Sequence, residues 1–472
     1  MAQSAVSRFT EEQVSSISRR AGEPSWLMEY RFEALKSFSS LPLETSPLYK
    51  KYGGVSAFDP EQFSVADDEE AVDMRGHFEG FLTGRETNIV LQGNSTTVHI
   101  DLDERYAETG IEVLPIRDAI SKHGSLIKDL LSRRLADPKT EKYAAFNAAF
   151  FTSGIFIRVP RGARAPSSLR RLLVTRNPSS SIVETTIIYA EESSKFEYLQ
   201  EVYTAESQGP FLLSSSFDVF AESGSQVDGT SVQLLDDDGV YVSNEGASVA
   251  ANARASLATV FLGGGVTRSR FNLGLNGRGA SFEGYDVFFC DGRQRFDLDA
   301  NLVHNSPDSQ GALTARGVLK GESQSIFKGM AKIRRGAKNS HSYIAHHAML
   351  LDKRARSDAI PGLDIDTNEV KATHSASVAQ IDEDQVFYLE ARGLPEDEAK
   401  KLIVTGFFEP VISRIPLEFA REGARFTVEG KWSGERRRLV DKETLLALTG
   451  EVPDQERHKS DDIFERHYKY RG

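Results

Sequence analysis

The sequence predicts a mainly β protein. A right-handed parallel β-helix over residues 154–380 is flanked by an N-terminal helical and mixed α/β region (1–153), a C-terminal helical domain (381–450) and a polar tail (451–472). Three observations point there. Beyond Gly154, short apolar runs such as Ile155–Val159, Leu172–Val174, Ile187–Tyr189, Val240–Val242, Ala258–Leu262 and Val287–Phe289 alternate with Gly, Ser, Asn and Asp turns, as strands separated by tight corners do. Gly224-Ser225-Gln226, Gly246-Ala247-Ser248 and Gly279-Ala280-Ser281 recur at intervals of 22 and 33 residues, both multiples of 11. Small residues at corners let successive coils stack, so this spacing reads as a rung-and-turn repeat. At both ends of the chain the apolar period changes to helical.

The N-terminal residues to about 45 read as helix. Thr10 with Gln13 forms a capping box, and Leu27, Tyr30 or Arg31, Ala34 and Phe38 share a face. Residues 50–80 carry Gly53-Gly54, Pro60 and the acidic run Asp67–Glu70, the pattern of a solvated loop. Short strands and turns fill 89–115, with His99 a plain strand residue. Leu126, Leu130, Leu131 and Leu135 then give 116–151 a helical period.

Past the strand region, Asp382 with Gln385 is a second capping signature, followed by Val386, Phe387 and Leu389 as apolar cover and Gly393 as the stop. Pro395 opens another helix, with Glu396, Asp397 and Glu398 in its first turn and Lys400 and Lys401 later, the order that the helix dipole prefers. Ala399, Leu402, Ile403 and Phe407 fall on one face, so a helical hairpin is expected. Helix continues over 410–420, and 425–432 reads as a short strand pair.

Composition excludes several function classes. A net charge of -12 argues against nucleic-acid binding. No apolar run reaches a membrane-spanning length, the start lacks a signal-peptide pattern, and the one cysteine, Cys290, allows no internal disulfide. A cytoplasmic location is expected. Gly263-Gly264-Gly265 has no phosphate-binding lysine after it, so it reads as a turn. Asp236-Asp237-Asp238 before Gly239 also reads as a turn, although a β-helix carbohydrate-active enzyme would place acids along such a scaffold. His346 and His347 adjoin each other after His341. On a strand they face opposite sides, and the plain reading is a solvated face or an interface. Cys290 after Val287-Phe288-Phe289 reads as a small core residue, with sulfur handling as the alternative.

The stretch KATHSASVAQIDEDQVFYLEARGLPEDEAKKLIVTGFFEPVI, from Lys371 to Ile412, resembles the C-terminal signature of the SufB/SufD family, scaffolds of Suf iron–sulfur cluster assembly. EPSWLMEYRFEALKSF, from Glu23 to Phe38, is similar to the family's N-terminal region. The resemblance implies a β-helix core, a partner that is SufB or a second copy of the chain, and docking of the ATPase SufC on the C-terminal helices through Val386, Phe387, Leu389, Leu402, Phe407 and Phe408. It implies no chemistry of the chain's own and no stably bound cofactor. An iron–sulfur cluster would pass transiently through the interface, where His374, matching the histidine of SufD proteins, would sit with His346, His347 and Cys290 as a transient ligand or proton carrier. SufB carries a cysteine just upstream of the Leu350-Leu351 segment and a glutamate after the family histidine. Here the segment reads His346-His347-Ala348-Met349 and Ser375 follows His374, which favours SufD. A SufB-type scaffold with histidine ligands is the alternative.

Overall fold

The computed structural model describes residues 9–43, 58, 60–65, 78, 88–176, 181–207 and 209–434. The acidic run 67–70, and positions 435–450 and 451–472 at the C-terminus, lie outside the described residues.

The N-terminal elements begin with α1 (Glu11–Arg20) and α2 (Ser25–Ser40). The capping box forms: Gln13 N donates to Thr10 Oγ1 at 3.3 Å and Thr10 N to Gln13 Oε1 at 3.1 Å. The hairpin β1 (Ile89–Gly93) and β2 (Thr96–Asp101) follows, then α3 (Glu104–Thr109), β3 (Glu112–Pro115), α4 (Ile116–Lys122), α5 (Gly124–Ser132) and α6 (Lys142–Phe150). Tyr143 to Phe150 of α6 are all buried, because the helix lies between α2 and the outer face of a sheet. Arg31 of α2 is 1% exposed; its charge is met by Glu23 at 2.6 Å, and it donates to the carbonyls of Ala149 and Phe151. A buried guanidinium left unpaired costs several kcal/mol, so these partners fix how α2 seats on α6.

The strands form a parallel β-solenoid of about eight coils, each contributing one strand to each of two sheets. One sheet stacks β5 (Leu169–Arg176), β7 (Lys195–Glu206), β9 (Gln226–Leu234), β11 (Arg254–Phe261), β13 (Ser281–Cys290), β15 (Gln310–Leu319), β17 (His341–Leu350) and β19 (Lys371–Gln380). The other stacks β4 (Ile155–Val159), β6 (Ile182–Ala190), β8 (Phe211–Ala221), β10 (Gly239–Val249), β12 (Val266–Leu275), β14 (Arg295–His304), β16 (Gln324–Ile333) and β18 (Arg356–Ile365). The β1–β2 hairpin extends the first sheet below β5, and β3 pairs antiparallel with β4.

The repeat is a whole coil and not the 11-residue rung that the tripeptides suggested. Gln226, Arg254, Ser281, Gln310, His341 and Lys371 stack in register, so successive coils advance by 28, 27, 29, 31 and 30 residues. Gly224 and Gly279 do turn corners, both at φ +70°, but Gly246 lies within β10 opposite Asp218 and Asn272. The structural ladder at that corner is Ser193, Gly224, Asn252, Gly279, Asp308 and Asn339, all at positive φ, where Gly, Asn and Asp are the least strained residues. Their amides donate to carbonyls of the adjacent coil, as Gly224 N does to Ala251 O and Asn252 N to Arg278 O.

Alternation along each strand fills the interior with one apolar cluster that runs from Val90 to Ala355. A polar column passes through it. Arg171, Gln200, Ser231, Thr259 and Asp286 stack in register on one sheet, and Glu184, Ser215, Ser243 and Ser269 on the other. At its lower end Arg171 donates to Glu184 (2.9 Å), Gln92 (2.6 Å), Gln200 (2.8 Å) and Thr186 (2.7 Å).

Three helices complete the described chain: α7 (Glu383–Glu390), α8 (Glu396–Ile412) and α9 (Glu418–Trp432). Asp382 Oδ1 caps α7, accepting from Asp384 N at 3.0 Å and Gln385 N at 3.3 Å. The strand pair expected at 425–432 is instead part of α9. Ala420, Ala424, Val428 and Trp432 recur every fourth residue and are buried, a helical period that the β-branched residues disguise. The helix over 410–420 breaks between Ile412 and Glu418. The buried stripe of α8 is Ala399, Val404, Phe408 and Val411; Leu402, expected on that stripe, is 54% exposed.

Candidate site at the open end of the solenoid

The strands β18 and β19 each have a neighbour on one side only, so among the described residues the last coil ends both sheets with an unpaired edge. The sequence GLDID and KATHSASVAQ builds it from small and apolar residues like the coils beneath, yet most of its positions are exposed or half-buried. Leu363, Ile365 and Val378 stand between 38% and 39% exposed.

His374 lies in β19 in register with Ile344, which is 1% exposed in the core beneath. The imidazole position therefore continues an inward column, Gly284, Leu313 and Ile344, and is exposed because no coil follows. His346 lies one coil below. It is not on a solvated face: it is 1% exposed, stacked 4.6 Å from Phe327 and 5.9 Å from Phe288 by ring centroids. Neither of its ring nitrogens has a hydrogen-bond partner, and burial, with neighbouring His347 adding to it, pushes its pKa down to about 3. His347 faces the other way, as alternation requires, and its Nδ1 lies 2.7 Å from Ser377 Oγ on the terminal strand. Partial burial first, then the Arg316 charge, lower its pKa.

The structure thus places the three histidines on the last two coils, with His346 and His347 on opposite faces, and leaves Cys290 apart. That thiol ends β13, fully buried in the apolar cluster, in the column that continues through Leu319 and Leu350 to Gln380. Burial pushes its pKa well up, which disfavours thiolate. Among the described residues no three His, Cys, Asp or Glu side chains converge as a metal site. The expected turn at Asp236 is present, with Gly239 N donating to Asp236 O at 2.9 Å.

The helical hairpin divides the six expected docking residues. Val386 and Phe408 are buried at 1% and 0% and hold the hairpin on the sheet, so they are not surface residues. Leu389 is half-buried against the small cluster of Ile381, Val386 and Ala399, and Phe407 is half-buried beneath Arg316, whose guanidinium lies 5.0 Å from its ring centroid. Phe387 (70%) and Leu402 (54%) are exposed, and the neighbouring Tyr388 and Leu394, which the sequence reading passed over, are exposed with them. Burying α8 through Ala399 and Val404 turns Leu402 outward, a relation that a helical projection anchored on Val404 would have given.

The chain is thus of the class of parallel β-solenoids, with an open strand edge at one end among the described residues and a helix pair with exposed aromatics beside it. Residues 173–407 match the family model of the SufBD core domain of SUF system FeS cluster assembly. The chain is 25% identical over 430 residues to the iron–sulfur cluster assembly protein SufD of Bacillus subtilis (strain 168), covering 89% of this chain and 97% of that protein. It is 26% identical over 449 residues to a SufBD family iron–sulfur cluster assembly protein of Staphylococcus aureus (strain MRSA252), covering 89% and 93%. The chain belongs to the SufBD family of iron–sulfur cluster assembly proteins and is SufD-like. No helix among the described residues is long and apolar enough to cross a membrane.

Proposed function

We propose that this chain is a non-catalytic, cytoplasmic scaffold subunit that joins SufB, or a second copy of itself, through the open coil and docks the ATPase SufC on the hairpin of α7 and α8. The observation that carries this is the terminal coil: two unpaired strand edges side by side, with Leu363, Ile365 and Val378 exposed at them. Unpaired edges of this kind are ready templates for another chain's strands. The cluster is cargo here. A chain with one buried thiol supplies imidazole nitrogen at best, so most ligands come from the partner, with His374 at the rim as this chain's donor or proton carrier.

Co-expression with SufB and SufC followed by pull-down tests both surfaces. Changing Phe387 or Leu402 to Asp should remove SufC and leave SufB, because each is an exposed apolar residue whose loss does not open the core. Changing Val378 and Ile365 to Asp should do the reverse. Retention of both partners in both variants would overturn the reading. Anaerobic loading with iron and sulfide separates the SufB-type alternative: a stable cluster on the isolated chain, lost in His374→Ala, would favour that alternative.

A further inference from the structure

Inside the solenoid the polar column ends differently from how it begins. Among the described residues the inward positions carry one cation, Arg171, against three carboxyl groups, Glu184, Glu245 and Asp286. Arg171 is spent on Glu184 at 2.9 Å. Glu245 and Asp286 therefore face the interior without a counter-charge. Between them lies an internal cavity of about 20 Å³, lined by both carboxyl residues, Thr259 and Ser269, and otherwise mainly by Leu257, Phe261, Phe271, Phe282, Leu313 and Phe327.

The groups facing Asp286 come from every element around it. Thr259 and Ala315 flank it in register on its own sheet. Glu245 faces it from β10, where Ser243 Oγ donates to Glu245 Oε1 at 2.7 Å. Asp299 also lines the cavity but is paired with Arg270 at 2.9 Å, and Tyr241 and His346 occupy inward positions on nearby strands. None of these is a cation for the pair. Glu245 is 7% exposed and Asp286 is half-buried, and a carboxylate held against such an apolar wall without a cation favours its protonated form. A hard cation such as calcium or magnesium wants six or more oxygens, and this apolar wall does not supply them.

We propose that Glu245 and Asp286 form an internal acid pair that holds a proton at neutral pH and binds an ordered water molecule in the cavity between them. The volume suits this, since a site of roughly 10–15 Å³ with two or more polar partners holds one water. Burial raises Asp286 to about 8, with the Glu245 charge adding to it, and raises Glu245 to about 6. The folded chain then binds more protons than the unfolded chain from the ordinary carboxylate range near pH 4 up to about 8. Stability from this pair is full below that window, falls as pH rises through it, and levels off above. The site makes the middle of the solenoid a pH-sensitive staple, two coils beneath the one that carries His346 and independent of partner binding at the open end.

The test is urea unfolding of the full chain from pH 5 to 9, comparing wild type with Asp286→Asn and, separately, Glu245→Gln. Relative to Asp286→Asn, the wild-type folding constant should drop about tenfold per pH unit across the upper part of the window, as one linked proton requires. In deuterated buffer, wild type should show the infrared carbonyl band of a protonated, buried carboxylic acid, absent in Asp286→Asn. If Asp286→Asn fails to fold, Glu245→Gln provides the same comparison with a smaller slope. Identical pH profiles in wild type and both variants would overturn the proposal. So would a stability that tracks sodium or potassium at fixed ionic strength, which would put a cation where the proton is placed.

Discussion

The coils in the middle of the solenoid and the coil at its end are built from the same kinds of residue, and they differ only in what lies above them. Ile344 and His374 occupy one inward column, one strand apart, yet Ile344 is 1% exposed and His374 stands open. Leu363 and Val378 would be core residues if another coil followed. At the other end the β1–β2 hairpin and β3 cover the first strands, so among the described residues the solenoid is covered at its start and open at its end. Burial in a stacked fold is thus conferred by a neighbouring coil.

The sharpest way to break that comparison is with glycine. A Cβ on Gly317 would lie 1.8 Å from the Phe288 ring, itself packed beneath His346, whereas a Cβ on terminal Gly362 would meet only the tip of Met330 at 2.5 Å. Gly317→Ala should cost about 3 kcal/mol or more and Gly362→Ala well under about 1, read as shifts in urea midpoint. Next comes the pair in apolar truncation. Ile344→Ala should lose about 2–5 kcal/mol, the usual cost of a cavity in a packed core. Val378→Ala should lose about 0.5 or less in the isolated chain, and more once a partner covers it. An equal loss at both positions in the isolated chain would mean that the last coil is already covered.

His346 gives a pH test with the opposite sign to the acid pair. Its folded pKa, near 3, is below the ordinary histidine value, so its neutral form is the one that the fold accepts. Stability is intact above pH 6.5 and falls as pH drops toward 3, by up to about 1.4 kcal/mol per pH unit for one proton. His347, lowered in the same direction, adds a smaller share. His346→Phe, which keeps the stack on Phe288 and Phe327, should flatten the acid limb of a stability–pH curve.

Much of this was legible in the chain. The alternation of apolar runs and turns beyond Gly154 marks a stacked β fold, and the capping residues Thr10 and Asp382 mark helix starts that the structure keeps. The length of a coil was harder to read, because the corner residue changes identity from Ser193 to Gly224, Asn252, Gly279 and Asp308 while its backbone angle stays the same. What repeats is a conformation that several residue types satisfy. The inward burial of His346 depends on Phe327, on the opposite sheet, and that contact leaves no trace in local sequence. The mixed fate of the docking residues has a similar origin: from Leu402 onward α8 is apolar on most sides, so the sheet beneath decides which side is covered.

The smallest effect concerns the hydrogen bond between His347 and the open coil. His347 Nδ1 and Ser377 Oγ lie 2.7 Å apart across β17 and β19, on the outer face where water competes for both groups. A neutral bond in that setting contributes roughly 0.5–1.5 kcal/mol, and here the lower half applies. A double-mutant cycle with His347→Ala and Ser377→Ala should therefore give a coupling of about 0.5 kcal/mol in the isolated chain. With a partner seated on β19, water would be displaced from the same groups and the coupling should rise toward about 1.5 kcal/mol. A coupling that stays constant with and without the partner would show that the terminal coil is no wetter alone than in company, which would remove the ground for treating it as open.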